Sequence, residues 1–360
     1  MSSIEKKDCL VSVLIPAYNV EKYLDTCLKS VCEQSYTNLE IIIINDGSTD
    51  NTLKVIEQHA KQDKRIRYLS RENKGLIPTR LQELELCTGD YIAIVDSDDW
   101  IDCDYIEKLL KAAEKYNADI VRCGDVIEFL AEGRKRLYCK NQGNEDLVIE
   151  RKQFAEEVVP DLCCTAYFNS IHSELVSKSL IENTLLKKIE KRSNVSIGED
   201  LVINCELYKK AEKIVVIPEF LYHYRKNPQS MMAERLPIER FVKRLNDSYI
   251  TFQAIKEVYE LFPGMERDIY DIALTKDLDG CVNLYFESFG NWSDKKMAIK
   301  KAQEFIEEKQ INRVRVKKLS YLYSDKIKIT IISKLIDVTL PYRIKSFVKS
   351  ILIWINSNKK

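Results

Sequence analysis

Three carboxylates fall within four residues at Asp96-Ser97-Asp98-Asp99. Packed so closely they repel one another, and a divalent cation among them relieves the repulsion. Hard oxygen ligands suit Mg2+ or Mn2+ rather than zinc. An ion held there can bridge two phosphates and neutralise charge developing on a leaving group. An isolated Asp-x-Asp is more often a solvated turn or a helix cap. This cluster, however, directly follows the apolar run Tyr91-Ile92-Ala93-Ile94-Val95 and precedes a helical pattern that starts near Asp104. Asp102 and Asp104 fit the capping role, which leaves Asp96, Asp98 and Asp99 free for chemistry.

The elements that must position this cluster are legible as an alternation. Residues 10–15, 40–44, 66–69, 91–95 and 119–122 are short, β-branched and apolar on both faces, as strands of a parallel sheet covered on both sides should be. Helical patterns at 21–34, 50–62, 76–86 and 104–116 lie between them, the second with Asp50 as an N-cap. Strand–helix alternation predicts a doubly wound α/β sheet. In such a sheet ligands bind beyond the carboxyl ends of the strands. The loops there read Pro16-Ala17-Tyr18-Asn19, Asn45-Asp46-Gly47-Ser48-Thr49-Asp50, Arg71-Glu72-Asn73-Lys74-Gly75 and the aspartate cluster itself.

Beyond residue 125 the alternation stops. Residues 126–129 and 135–139 read as a hairpin, 152–159, 176–188 and 200–210 as helices, and 214–217 as a short strand ended by Pro218. Helices are expected at 238–261, 265–286 and 295–309, after a boundary near 230–237 marked by Asn227-Pro228 and Pro237.

Three stretches carry a resemblance: Val11-Ser12-Val13-Leu14-Ile15-Pro16-Ala17-Tyr18-Asn19, then Glu40 through Asp50, then Gly89 through Asp99. In motif, order and spacing they closely resemble glycosyltransferase family 2, the inverting enzymes of the GT-A fold, strongly over residues 9–125 and more loosely to about 230. The resemblance implies a GT-A type doubly wound mixed sheet with a Rossmann-like nucleotide-binding half. It implies that Pro16, Ala17 and Tyr18 line a nucleoside pocket and that Asp46 hydrogen-bonds the base, as a carboxylate can with the imide N–H of uracil. Arg80 would reach the base or phosphates, Asp96 and Ser97 would lie against donor ribose or sugar hydroxyls, and Asp98 would ligate Mn2+ or Mg2+, with Asp99 in support. One stretch departs from the family pattern: Arg80 is followed by Leu81 rather than Asn, and Pro78 enters the turn.

Inversion by direct displacement needs a general base for the acceptor hydroxyl. Gly198-Glu199-Asp200 opens a helix; acids there commonly only favour the first turn, but the run resembles the family's Glu-Asp motif. Asp200 is carried over as the base, with Glu199 orienting acceptor or metal. In Tyr222-His223-Tyr224-Arg225, His223 reads equally as a structural histidine or a metal ligand, and Arg225 as a diphosphate contact when the loop closes. His59 and His172 receive no assignment.

Composition bounds the rest. Lys and Arg together number 56, as do Asp and Glu, yet residues 313–360 carry twelve Lys/Arg against Asp325 and Asp337, so +10 there offsets −10 over residues 1–312. That asymmetry does not suit a nucleic-acid binder. Eleven cysteines, an odd number with no Cys-x-x-Cys, read as reduced thiols. The polar first eight residues and the short apolar run behind them do not suit a signal peptide. The expectation is a cytoplasmic body of residues 1–232, with the donor half at about 9–125 and the acceptor half at 126–232, then a helical region, 233–312. A basic tail, 313–360, follows, in which 326–360 has the pattern of a helix lying peripherally on the cytoplasmic face of an anionic membrane or packed on protein. A nucleotide-sugar donor and a glycan or lipid-linked acceptor are the implied substrates. The helical region would bind acceptor or build a homo-oligomer. The rival readings are a sugar nucleotidyltransferase, which needs a glycine-rich basic loop after the first strand, and a catalytically inactive glycan- or partner-binding scaffold.

Overall fold

The computed structural model describes residues 9–129, 133–164, 167–195, 198–226, 238–262 and 292–311, with 274, 277, 278 and 281 between. The expected boundary at 230–237, most of the expected helix 265–286 and the basic tail 313–360 lie outside the described residues.

Four parallel strands form the first half of a mixed sheet: β1 (Val11–Ala17), β2 (Leu39–Asp46), β3 (Ile66–Arg71) and β4 (Tyr91–Ile94). The second half contains β5 (Trp100–Ile101), β6 (Ile120–Phe129), β7 (Arg134–Tyr138), β8 (Leu147–Glu150), β9 (Glu174–Ser177) and β10 (Lys213–Arg225). The order is β3-β2-β1-β4-β9-β6-β10-β5, with β7 on β6 and β8 on β10. Strand β9 runs antiparallel to both β4 and β6, joining the halves.

Side chains of period two explain the layering. Val11, Val13 and Ile15 of β1, with Ile41 and Ile43 of β2, meet helices α1 (Leu24–Cys32), α2 (Thr52–Gln62) and α4 (Tyr105–Tyr116) on one face. Leu14 and Ile42 point the other way, toward α3 (Leu76–Leu86), α7 (Asn183–Glu190), α8 (Glu199–Tyr208) and α9 (Ile238–Tyr259). Short helices α5 (Phe154–Glu157) and α6 (Val159–Cys164), and the later α10 (Trp292–Glu308), join this second layer. Both faces of β1, β2 and β4 are covered, as their apolar runs required, whereas β3 at the edge, expected to be covered as well, is largely exposed. Among the described residues no helix is long and apolar enough to cross a membrane.

Several expected elements differ: 119–122 and 126–129 are one strand, β6, and the helix expected at 152–159 is divided among a 3-10 turn, α5 and α6. Residues 176–188 do not form one helix: Leu175 and Val176 belong to β9, and α7 begins only at Asn183. Buried between two strands, Leu175 and Val176 satisfy the sheet on both sides, and local periodicity could not reveal that. The strand expected to stop at Pro218 continues to Arg225. Its pairing with β6 shifts register between Val216 and Phe220, and an irregularity of this kind is where a strand tolerates a residue with no N–H.

The centre of the second half holds a buried cation. Arg122 of β6 pairs with Glu174 of β9 and donates to the carbonyls of Tyr167 and Ser170. It therefore pins the segment 167–174, which leads into the site.

Candidate functional site

The carboxyl ends of β1, β2 and β4, the β3–α3 loop, the turn before β9 and the N-terminus of α8 surround a cleft of about 780 Å³. Pro16, Ala17, Tyr18, Asp46, Arg80, Asp96, Ser97, Asp98, Glu199 and Asp200 all line it. The structure therefore brings the residues expected at the donor and the residue expected as base to one cleft.

Each wall has a local cause. Gly47, at φ 77°, lets the chain turn back after β2, and a Cβ there would lie 2.6 Å from the Asn73 backbone nitrogen. Asn73 in turn donates to the Asp46 carbonyl at 2.9 Å. The Asp46 carboxylate accepts from the backbone N–H groups of Lys74 and Gly75, at 3.0 and 2.8 Å, and pairs with Arg71 at 2.9 Å. A base contact at Asp46 must therefore use its remaining lone pairs. Tyr18, which lines the cleft, is half exposed.

The aspartate turn divides its labour. Asp99 is fully buried; its carboxylate accepts from Tyr222 Oη at 2.8 Å and from the Arg225 backbone N–H at 2.7 Å. Tyr222 Oη also accepts from the Asp96 backbone N–H at 3.1 Å. Asp99 is thus the anchor of the turn, while Asp96, Ser97 and Asp98 face the cleft. Burial, then the neighbouring Asp96, pushes Asp98 up to about 6. Burial, then Asp98 and Asp96, raises Asp99 well above the carboxylate range. Crowded, desolvated carboxyls with raised pKa values mark a site that favours added positive charge.

Helix α8 opens at Gly198, at φ 86°, which presents Glu199 and Asp200 to the cleft. A Cβ on Gly198 would lie 3.0 Å from Thr251 Oγ1 of α9. The C-terminal helix is therefore packed against the turn that aims the acidic pair. Gly198→Ala is expected to cost about 1–2 kcal/mol through the left-handed backbone and to lower the melting temperature by roughly 1–3 °C. An unchanged melting curve would contradict the strain.

Two expected site residues stand elsewhere. His223, read equally as a structural histidine or a metal ligand, does not line the cleft. Its Nε2 lies 2.9 Å from Asp102 Oδ1, its Nδ1 3.2 Å from Glu128 Oε1, and its ring stacks on Trp100 at 4.9 Å. Both ring nitrogens are committed, so the structural role is the one observed. Arg225, expected at the diphosphate, instead donates from Nε to the Asp98 carbonyl at 2.6 Å, its guanidinium 4.9 Å from the Tyr23 ring and 4.6 Å from that of Trp100. It braces the aspartate turn from behind. Asp102, read as a cap, is the partner of His223.

His172, which carried no assignment, lies in the cleft. Its ring stacks on Tyr222 and Tyr224, with Nδ1 3.9 Å from Asp96 Oδ2 and Nε2 3.7 Å from Asp125 Oδ2. It precedes β9, and because that strand is antiparallel its beginning sits at the carboxyl ends of its neighbours. Had β9 been recognised, this histidine would have been found. Lys243 of α9 and Asn194 also line the cleft. Among the described residues no three His, Cys, Asp or Glu side chains form a ready metal cluster.

The architecture is that of a GT-A fold. S. aureus TarS 1-349, solved in complex with UDP-GlcNAc, superposes with a TM-score of 0.52 at 16% identity, over 82% of this chain and 91% of that one. The model of the family described as Glycosyl transferase family 2 matches residues 12–176. Glycosyltransferase GlyA of Streptococcus pneumoniae serotype 4 is 32% identical over 249 residues, 67% of this chain and 34% of GlyA. Glycosyltransferase GlyG of the same organism is 31% identical over 268 residues, 72% of this chain and 87% of GlyG. The chain thus spans about a third of GlyA, and just under two thirds of two Bacillus subtilis relatives of similar identity. It belongs to glycosyltransferase family 2.

Proposed function

We propose that this chain is an inverting, metal-dependent glycosyltransferase that moves a sugar from a nucleotide-diphosphate donor, a UDP-sugar by preference, to a hydroxyl of a glycan or lipid-linked acceptor in cell-surface polysaccharide synthesis. The observation that carries this reading is the shared cleft: Asp96 and Asp98 on one wall, Asp200 on another, within about 780 Å³. That volume suits a nucleotide sugar. The capture of TarS with UDP-GlcNAc supports the choice of donor.

In this reading Pro16, Ala17 and Tyr18 hold the nucleoside, Asp46 meets the base, and Asp96 and Ser97 meet donor hydroxyls. Asp98 would hold Mn2+ or Mg2+. The donor set fits such an ion: Asp98 is an oxygen ligand in a crowded acidic turn, and Mg2+ is commonly held by one or two carboxylates plus substrate phosphates. The ion would supply charge neutralisation for the departing nucleotide diphosphate. Asp200 accepts the proton as the acceptor oxygen attacks the anomeric carbon from the opposite face. Glu199 stands beside it, its carboxyl raised by burial. The functional division follows residues 1–232, 233–312 and 313–360, with the C-terminal helices contributing to the acceptor rim through Lys243. A lipid-linked acceptor would give the basic segment 326–360 a membrane surface to meet.

Thermal unfolding tests the donor directly. UDP with Mn2+ at about one hundred times its dissociation constant is expected to stabilise the fold by about 2.7 kcal/mol, which is a rise of several degrees. UDP is expected to exceed GDP. No stabilisation by any nucleotide diphosphate, with or without metal, would sink the reading.

A further inference from the structure

Arg80 was expected to reach the donor's base or phosphates, yet its guanidinium is already shared. It is 1% exposed on α3 beneath the cleft. Nη2 donates to Asp96 Oδ1 at 2.9 Å, Nη1 donates to Asp200 Oδ1, and Glu199 Oε1 lies 3.9 Å from Nη1. Asp96 comes from the turn after β4 and Asp200 from the first turn of α8, so one cation ties two separate parts of the chain. A planar guanidinium holds the direction of each carboxylate as well as its place, which a lysine does not.

The two oxygens of Asp200 are unequal. Oδ1 is taken by Arg80, whereas Oδ2 has a long contact, 3.4 Å, from the Ile171 N–H. Oδ2 therefore keeps lone-pair capacity, and the Asp200 side chain, which lines the cleft, remains 22% exposed.

Resting on the transferase reading above, the geometry points to Arg80 as the positioning residue of the general base. It anchors Asp200 by Oδ1, leaves Oδ2 to take the proton of the attacking hydroxyl, and ties that setting to Asp96 on the donor side. In the step itself the hydroxyl O–H bond breaks and its proton goes to Oδ2. The hydroxyl oxygen bonds the anomeric carbon, and the bond to the diphosphate oxygen breaks, its electron pair leaving with the nucleotide. Arg80 touches none of these atoms and acts through Asp200.

Two consequences separate this role from a donor contact. Loss of Arg80 adds nothing once Asp200 is gone, because residues acting as one unit are not additive. Removing a cation from beside a carboxylate makes it more basic. The acid limb of the kcat profile then moves to higher pH. Among the described residues the other titratable and charged side chains lining the cleft with Asp200 are Asp46, Asp96, Asp98, Glu199, His172 of the turn before β9 and Lys243 of α9, besides Tyr18 and Tyr224.

The experiment follows UDP release from UDP-GlcNAc, UDP-glucose and UDP-galactose with Mn2+ and water as acceptor, for R80Q, R80K, D200N and R80Q/D200N, with UDP affinity by calorimetry. R80Q is expected to lose at least about tenfold in kcat and to keep UDP affinity within about threefold. Its acid limb should rise by about one pH unit. R80K should lie between R80Q and wild type, and R80Q/D200N should be no slower than D200N. Additive losses, or a loss confined to UDP affinity with an unmoved limb, would overturn the positioning role. If D200N turns over like wild type, the base assignment falls first. If D200N is inactive while R80Q and R80K match wild type, only the positioning role falls. A double-mutant cycle on the unfolding midpoint reports the Arg80–Asp200 contact without turnover, and zero coupling there also overturns it.

Discussion

Asp200→Asn is expected to lower kcat by about 10²- to 10⁴-fold, the usual weight of a general base. Donor binding should survive, because the nucleoside and metal walls of the cleft are built from other loops. An amide keeps the volume of the side chain, and its carbonyl oxygen can still accept from Arg80, but it cannot take a proton at neutral pH. Glu199 is no ready substitute: it lies at the edge of the Arg80 cluster, 3.9 Å from Nη1, without the close contact that holds Asp200. Rates measured with a saturating donor and a hydroxyl acceptor would decide. A variant within twofold of wild type would remove Asp200 from the reaction.

Asp98→Asn should divide function from stability. The Asp98 carboxyl titrates near 3.8 when unperturbed and at about 6 in the fold. Between those values the folded protein binds the extra proton, so stability falls as pH rises through roughly 4 to 6 and stays lower above that window. The ionised carboxylate therefore costs the metal-free fold on the order of 3 kcal/mol at pH 7. Asparagine is neutral at every pH, so the metal-free variant should melt higher than wild type near pH 7 and show a shallower fall from pH 4 to 6. Some slope will persist, because burial raises Asp99 as well. Mn2+-dependent stabilisation should meanwhile vanish, and in the wild type it should strengthen as pH rises through about 6, since the ligand must be deprotonated. A variant that melts as wild type and keeps its response to Mn2+ would count against Asp98 as the ligand.

The edge strand β3 is largely exposed, but the first half of the sheet was legible because β1, β2 and β4 are buried on both faces. Continuous apolar runs betray such strands, and the loop after each is where a parallel sheet places ligands. Asp46, Asp96 and Asp98 stand in such loops, whereas Asp200 was carried over from the resemblance of Gly198-Glu199-Asp200 to the family's Glu-Asp motif. The second half was less legible for definite reasons. Glu174 to Ser177 is a strand only because β4 and β6 flank it, so its periodicity carried no signal, and His172 was lost with it. Pro218 looked like a stop because the register shift that tolerates it is a property of the pairing with β6. His223 and Arg225 have the right chemistry for metal and phosphate, but Asp102, Glu128 and the ring of Trp100 had claimed them. Arg80 was seen as a cation near the donor; that Asp200, 120 residues further on, would meet it was beyond any local pattern.

Strand β9 has a further consequence for how the chain reaches this structure. Until residues 174–177 arrive, β4 has β1 on one side only, and the Arg122 and Glu174 charges cannot meet. A nascent chain emerging N-terminus first would assemble β3-β2-β1-β4 as a sheet with an open apolar edge, and such edges invite pairing with other chains. The last central strand, β10, comes nearly a hundred residues after β6 begins, and distant pairings of this kind slow folding. The same late strand that seals the sheet sets His172 beside Asp96, so the site exists only once the vulnerable stage of synthesis is over.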